Sequence, residues 1–116
     1  MRSSALWFAL LLLVSGCQKQ QGTVLGKAPS GDVRSILAVR AGDTPPQVTL
    51  SGSMVEKCPV AGCWFRLRDD TGTIKIDTKT AGFVVTAVPL ETKMTVAGKI
   101  TDTGDEVIIE ASGIRY

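Results

Sequence analysis

One segment of the chain reads Trp64-Phe-Arg-Leu-Arg-Asp-Asp-Thr-Gly-Thr-Ile-Lys-Ile-Asp77, in which apolar and polar residues alternate on both sides of a glycine-containing turn. Alternation with a period of two is typical of a strand that buries one face. We predict a strand at residues 64–68, a second at 73–77, and a tight hairpin turn between them in which Gly72 adopts a positive φ. This hairpin fixes an inner and an outer face.

Three further segments have strand character. Residues 48–54 alternate, residues 93–100 and 106–115 are rich in β-branched side chains, and a second turn is predicted over 101–105. Gly52 and Gly98 lie inside strands, where glycine marks the bends of a barrel. Residues 78–90 are irregular and could hold a short helix or a loop. The pattern predicts an all-β fold, a small five-stranded Greek-key barrel of the OB-fold type.

The stretch from Val48 to Tyr116 also resembles a bacterial OB-fold group related to tRNA-anticodon-binding domains. The matching motifs are Val48-Thr-Leu-Ser-Gly52, Leu67-Arg-Asp-Asp-Thr-Gly72 and Val96-Ala-Gly-Lys-Ile100, followed by Ile108 and Ile109. The segment Cys58-Pro-Val-Ala-Gly-Cys-Trp64 is similar to a Cys-Pro…Gly-Cys-Trp signature found in uncharacterised periplasmic and lipoprotein members. The resemblance implies the fold and no activity.

The N-terminus has the features of a lipoprotein signal peptide. Arg2 precedes an unbroken apolar run over residues 5–14, which is about half the length that a transmembrane helix needs. Val14-Ser-Gly-Cys17 resembles the lipobox, so residues 1–16 are expected to be removed and Cys17 to carry acyl chains such as palmitate. Two or more chains anchor firmly. An Asp after the lipidated cysteine tends to keep a lipoprotein at the inner membrane of a Gram-negative cell. Gln18 stands there instead, so we expect the anchor in the outer membrane, facing the periplasm, or in the cell membrane of a Gram-positive organism.

The remainder divides into a tether and a domain. Residues 17–30 are polar and glycine-containing, and we predict a flexible tether that spans on the order of 20 Å. Residues 31–116 form the predicted OB-fold domain. It begins with a short helix over residues 33–39 that Asp32 caps.

Composition excludes several functions. Of the 13 basic side chains Arg2 leaves with the signal peptide, and 12 remain against 11 acidic ones. This near-neutral net charge predicts no particular partner. Together with the expected periplasmic location, it disfavours nucleic acid as a ligand. The chain has no histidine, which removes Ser-His-Asp and Cys-His nucleophiles. We therefore expect no catalytic residue and no cofactor, and a monomer.

Two cysteines remain once Cys17 is lipidated, and they allow alternatives. Cys58 and Cys63 bound one short loop in an oxidising compartment, which favours a disulfide worth about 2 kcal/mol in the chain-entropy model. Alternatively they act as working thiols, in redox chemistry or as ligands of copper(I) with help from the thioether of Met54. Zinc is disfavoured because it binds four ligands, commonly cysteine or histidine, and only these two thiols are available.

The outer face of the hairpin is the candidate ligand-binding surface. Alternation places Trp64, Arg66 and Arg68 there, and Lys75 joins them across the turn. OB-folds bind ligands on this pair of strands, and an aromatic ring beside cations suits a stacked, anionic ligand. We predict a membrane-tethered binding module without catalytic activity. An envelope thiol or metal protein is the alternative, and a lipoprotein whose partner is another protein remains open.

Overall fold

Seven strands and one helix form in the part of the chain that the computed structural model describes, residues 22–116. The predicted signal peptide and Cys17 lie outside these residues. Within residues 22–116, no helix has the length and apolarity of a transmembrane span. In chain order the elements are β1 (Val24–Gly26), β2 (Val33–Arg34), α1 (Ile36–Arg40), β3 (Gln47–Lys57), β4 (Trp64–Asp69), β5 (Gly72–Asp77), β6 (Lys93–Asp102) and β7 (Val107–Arg115).

Five of the strands close into a barrel. β3 pairs with β4, β4 with β5, β5 with β7, β7 with β6, and β6 returns to β3. Each of these five pairings is antiparallel except that of β5 with β7, which is parallel and joins Lys75 to Ile108. Closure in this order leaves none of the five strands with a whole edge unpaired. The predicted all-β OB-fold barrel is confirmed.

The core lies inside this barrel and follows the predicted alternation. Phe65 and Leu67 of β4 and Ile74 and Ile76 of β5 are all fully buried. Each side chain of this kind contributes about 1.5–3 kcal/mol on burial. The core is completed by residues of the other elements: Ile36, Val39, Val48, Leu50, Met54, Val85, Val88, Met94, Val96, Ile109, Ala111 and Ile114.

The segment between β5 and β6 forms turns rather than a helix, yet it is part of the core. Val85 and Val88 are buried at one end of the barrel. The ammonium group of Lys57 donates to the carbonyls of Val85, Thr86 (2.9 Å) and Val88. One cation therefore satisfies three carbonyls that have no strand partner. We call residues 78–92 the end plug.

The glycines predicted at bends are required by close approach. A Cβ on Gly52 would collide with the Arg68 carbonyl, and one on Gly98 with the Glu110 carbonyl. The register of β6 against β7 shifts between Ala97 and Gly98. These strands cross too closely for any side chain, as expected where a small barrel turns a corner.

The predicted helix over residues 33–39 is wrong in its start and its cap. Val33 and Arg34 form β2, which runs parallel to β3. α1 starts only at Ile36, and Ser35 rather than Asp32 caps it by accepting from the Ala38 N–H (3.0 Å). Serine is as good a cap as aspartate, and the β-branched Val33 favours an extended backbone.

The end of the predicted tether is also ordered. Val24–Gly26 forms β1, which pairs antiparallel with the end of β7. Thr23 and Tyr116 exchange two backbone hydrogen bonds of 2.8 Å. Gly26 has φ 74, and a Cβ there would lie 2.5 Å from the Ser112 carbonyl oxygen. Residues 24–26 therefore belong to the folded unit.

Asp69 organises the hairpin turn and links it to the helix. One carboxylate oxygen accepts from the Thr71 hydroxyl (2.6 Å) and from the Thr71 and Gly72 N–H groups, and the other accepts from the Ile36 N–H (2.9 Å). Gly72 does not have the predicted positive φ. The hydrogen bonds that the Asp69 carboxylate accepts shape the turn without a positive φ at Gly72. The second turn does use a positive φ, at Gly104 (95°).

The hydrogen bonds to Asp69 make stability depend on pH. Burial alone would raise the pKa of this carboxyl, but the bonds from Thr71, Ile36 and Gly72 outweigh it and hold the pKa below its usual 3.8. A carboxyl with a depressed folded-state pKa stabilises above the unfolded-state pKa, and the contribution is lost as pH falls through the folded value. We expect Asp69→Asn to lower the free energy of unfolding by roughly 1–3 kcal/mol near neutral pH.

This difference should shrink as the pH falls below about 4. Urea unfolding of wild type and variant at several pH values measures it. The exposed neighbour Asp70 provides the matched control, and Asp70→Asn should leave the unfolding curve unchanged at every pH. A gap between wild type and Asp69→Asn that stays constant down to acid pH would contradict the assignment.

Candidate functional site

The predicted ligand-binding residues lie on the outer face of β4 and β5. Arg66 and Lys75 are direct cross-strand partners, while Trp64 lies diagonally from Lys75. All three are half-buried. Trp64, Arg66 and Lys75 therefore form one contiguous group, which we call the tryptophan cluster.

Two cations lie close to the indole of Trp64. The ring centroid lies 5.3 Å from the Lys75 Nζ and 5.9 Å from the Arg66 Cζ. Both distances are within the range of cation–π attraction, which is worth about 0.5–1 kcal/mol at exposed sites. The indole thus holds two positive groups that would otherwise repel each other across the strands.

A carboxylate offsets one of the two positive charges of this cluster. The register of β3 against β4 shifts at Val55, which brings Glu56 opposite Arg66. The Glu56 carboxylate lies 3.4 Å from the Arg66 Nε, and both side chains remain substantially exposed, at 59% and 36%. Trp64 itself is opposite Asp77, whose carboxylate pairs with Lys79 at 3.4 Å. The positive area is therefore small and has acidic flanks.

Arg68 points outward as predicted but lines a different depression. It faces a shallow polar groove of about 340 Å³, and its guanidinium lies 3.7 Å from the Glu91 carboxylate. The structure therefore divides the predicted face into the tryptophan cluster and this groove. The groove is lined by Ser51, Gly52, Ser53, Arg68, Asp69, Asp70 and Lys93.

Cys58 and Cys63 lie at the two ends of the loop that joins β3 to β4. The Cys58 N–H donates to the Trp64 carbonyl (3.0 Å), and the Gly62 N–H donates back to the Cys58 carbonyl (3.2 Å). Both residues are half-buried free thiols in the structure, and the disulfide stays a prediction. The loop is thus tied to the first residue of the tryptophan cluster.

The end plug supports this loop, which the sequence did not indicate. The Val85 N–H donates to the Gly62 carbonyl (2.9 Å), and the Thr86 hydroxyl donates to the Ala61 carbonyl (3.3 Å). Gly62 has φ 64, and a Cβ there would lie 2.5 Å from the Thr86 Oγ1. Glycine is therefore required at position 62 by both backbone conformation and packing.

The Cys58 thiol has a lowered pKa. Hydrogen bonds from Ala61 and Val60, with smaller contributions from Gly62 and Cys63, outweigh a small opposing effect of burial and lower the pKa of the Cys58 thiol from 9.0 to about 7. Hydrogen bonds to a charged form favour that form. The sequence contained no sign of this, because the donors are main-chain groups.

Of the three ligands predicted for copper(I), the structure leaves only Cys58 and Cys63 accessible. The side chain of Met54 is fully buried in the barrel core, so a thioether ligand would have to leave that core. Among residues 22–116 no group of three or more histidine, cysteine, aspartate or glutamate side chains could hold a metal ion. Any copper bound here would rely on Cys58 and Cys63.

Comparison with known proteins supports the fold alone. No family model matches the chain, and no curated protein matches it. Among solved structures, that of the hypothetical protein ygiW from E. coli is similar, with a TM-score of 0.55 and 22% sequence identity. The similarity covers 77% of this chain and 95% of the other. At this identity the match shows a shared small barrel.

The role of Gly62 gives a prediction for the thiol. In Gly62→Ala the loop must move away from Thr86, and the backbone donors around Cys58 move with it. We expect the pKa of Cys58 to rise from about 7 towards 9.0. The ultraviolet absorbance of the thiolate, followed against pH, measures this. Gly22→Ala is the control, because a Cβ there meets nothing within 4 Å, and an unchanged titration in Gly62→Ala would contradict the support role.

Proposed function

We propose that this protein is a membrane-anchored periplasmic binding module without catalytic activity, and that the tryptophan cluster binds an anionic ligand from the cell envelope. The observation that carries the proposal is the proximity of two cations to the Trp64 indole, with the Lys75 Nζ 5.3 Å and the Arg66 Cζ 5.9 Å from the ring centroid. Neither cation is buried, so both can reach an incoming anion while the indole stacks on an apolar part of it.

The cross-strand pair of Arg66 and Lys75 supports a binding role. Like charges directly opposite each other in a sheet destabilise it. The requirements of folding therefore do not explain why Arg66 and Lys75 face each other. Glu56 offsets Arg66 through one exposed ion pair at 3.4 Å. Such pairs are worth about 0.2–1 kcal/mol, so an anionic ligand can displace the carboxylate at little cost.

The proposed anchor sets where the barrel works. Only residues 18–23 separate Cys17 from the start of β1. Fully extended, a segment of this length reaches roughly 20 Å. With Cys17 lipidated, the barrel stays close to the membrane surface, and ligands of the envelope are the ones it meets. Near-zero net charge argues against long polyanions such as nucleic acid, which favour broadly basic surfaces.

The test titrates the processed protein, which on this proposal begins at Cys17, purified in detergent, with two probes: a short oligothymidylate and an oligomer of an acidic glycan. Trp64 fluorescence is the readout, because the only other tryptophan, Trp7, lies in the predicted signal peptide. We expect Arg66→Glu with Lys75→Glu to weaken binding of the acidic glycan at least about tenfold, since the two favourable charges of the tryptophan cluster become two unfavourable ones.

The matched control reverses the same number of charges elsewhere. Arg34→Glu with Lys99→Glu changes two exposed cations outside the tryptophan cluster and should leave the affinity within about twofold. Equal weakening in both double variants would mean that only bulk charge matters and would contradict the site. Binding of neither probe would contradict an anionic ligand and favour a protein partner.

A second candidate is a copper(I) site at Cys58 and Cys63. The observation that favours it is the presence of two unbridged, half-exposed thiols on one loop. Soft thiolates select copper(I). If it is correct, the intact native protein carries one copper ion by mass spectrometry, and Cys58→Ser removes it. Met54→Leu preserves core volume and should leave the copper in place, since Met54 is buried. Native protein without copper would contradict this candidate.

A further inference from the structure

One end of the barrel is built from two segments that contain no charged side chain. They are the β3–β4 loop, residues 58–63, and most of the end plug, residues 80–90. The two segments contact each other, since the Val85 N–H donates to the Gly62 carbonyl (2.9 Å). We call the surface that they form the uncharged end.

Aliphatic side chains are exposed on the uncharged end. Val60 of the loop is 86% exposed, and Val84 and Leu90 of the plug are each 51% exposed. Single exposed apolar residues are ordinary, but a group of them on a surface without charge marks an interaction site. Smaller apolar residues of the same two segments are exposed as well: Pro59, Ala61, Ala87 and Pro89.

The opposite end of the barrel has a different character. It consists of α1 and of the turns that follow β4 and β6. Leu37 is exposed there, but Asp70, Asp102 and Asp105 are exposed with it. Carboxylates lose their hydration in an apolar medium, at a large cost in free energy. Of the two ends, only the uncharged one can therefore contact hydrocarbon without that cost.

The N-terminal segment joins the barrel at the uncharged end. Thr23 exchanges two backbone hydrogen bonds with Tyr116, the residue after β7. β7 ends beside the start of β6, into which the end plug leads. The ring of Phe83 in the plug also lies next to β1, because a Cβ on Gly26 would be 2.8 Å from it. A tether attached at Thr23 therefore leaves the barrel on the side of the plug.

We propose that the uncharged end docks on the surface of the lipid bilayer, with Val60, Val84 and Leu90 at the boundary between headgroups and acyl chains. The proposal rests on the lipidation of Cys17 in the proposed function. Residues 18–23 reach roughly 20 Å at most, and an apolar face that lies on a bilayer enters it by about 5–10 Å. A tether this short, attached beside the plug, holds the uncharged end rather than the opposite end against the lipid.

Apolar contact rather than charge stabilises the docked state. Two cations near the uncharged end are already paired, Lys79 with Asp77 at 3.4 Å and Arg68 with Glu91 at 3.7 Å. The docking surface also needs little affinity of its own, because the anchor keeps it at a high effective concentration beside the bilayer. Docking should therefore occur on neutral lipid and persist in high salt.

The test places a single tryptophan at either end of the barrel. The processed protein is reconstituted in phosphatidylcholine vesicles whose acyl chains carry bromine, a contact quencher of indole fluorescence. Trp64→Phe removes the native signal, and Val60→Trp or Leu37→Trp supplies the probe at an exposed position. Relative to vesicles without bromine, we expect the Val60→Trp protein to lose at least about half of its fluorescence, since an inserted face meets the acyl chains. The Leu37→Trp protein should lose almost none, because the barrel holds that position roughly 20 Å away.

A double substitution then tests the contact itself. In the Val60→Trp protein, Val84→Asp with Leu90→Asp should remove most of the quenching, since burial of one aliphatic side chain favours docking by roughly tenfold or more. The matched control, Val33→Asp with Leu37→Asp, adds the same charges at two exposed aliphatic positions away from the uncharged end and should leave the quenching unchanged. Quenching should also persist at about 1 M salt, where the Debye length is ~3 Å.

Flotation with the vesicles and the intact mass report the anchor separately from docking. Protein that carries acyl chains and floats, yet is quenched equally at both probe positions or at neither, overturns docking and leaves the anchor standing. Protein without acyl chains contradicts the anchor and, with it, the docking that rests on it. Should the double aspartate variant fail to fold, the comparison of the two probe positions decides alone.

Two further results would also overturn apolar docking on lipid. Quenching that disappears in high salt would mean that charge holds the barrel at the membrane. A blue shift of the Val60→Trp fluorescence that grows with the number of proteins per vesicle, without quenching by bromine, would mean that a second copy of the chain covers the uncharged end.

Discussion

The parallel pairing of β5 with β7 is the constraint on which the rest of the structure depends. Without it the five strands would form an open sheet with two exposed edges. With it the sheet must curve tightly, and neighbouring strands come so close that Gly52 and Gly98 cannot carry a side chain. Closure also leaves one end of the barrel open, and the end plug fills that end with Val85 and Val88.

The positions of both candidate sites depend on the closure of the barrel and on the end plug. Curvature of β4 and β5 puts Trp64 and its two cations on a convex outer face, where they remain accessible. The plug, needed first to cover the core, also contacts the β3–β4 loop at Gly62 and Ala61. The geometry around Cys58 is therefore set by a segment more than twenty residues further along the chain.

This division explains what the sequence could and could not predict. The five barrel strands and the outward set of Trp64, Arg66 and Lys75 depend on alternation and local turns, which are visible along the chain. β1 and β2 have three and two residues, and they are strands only because the end of β7 and the start of β3 are paired on one side alone within the barrel.

The sequence pattern did not predict the end plug either. Val85 and Val88 lie in a stretch without periodicity, and their burial depends on the barrel end beneath them. The environment of Cys58 is built from main-chain N–H groups, which every residue except proline supplies. Sequence identifies the side chains of a site more readily than the backbone groups that tune them.

The two sites share a physical connection, and it constrains how they can behave. The Cys58 N–H donates to the carbonyl of Trp64, and Cys63 is the residue before Trp64. A disulfide between the cysteines would change the loop at the point where the indole is positioned. By linkage, any ligand that prefers one redox state must shift the thiol equilibrium by the same factor. A tenfold preference corresponds to about 30 mV in the two-electron reduction potential of the pair, which sets the scale on which ligand binding and the redox state of Cys58 and Cys63 would affect each other.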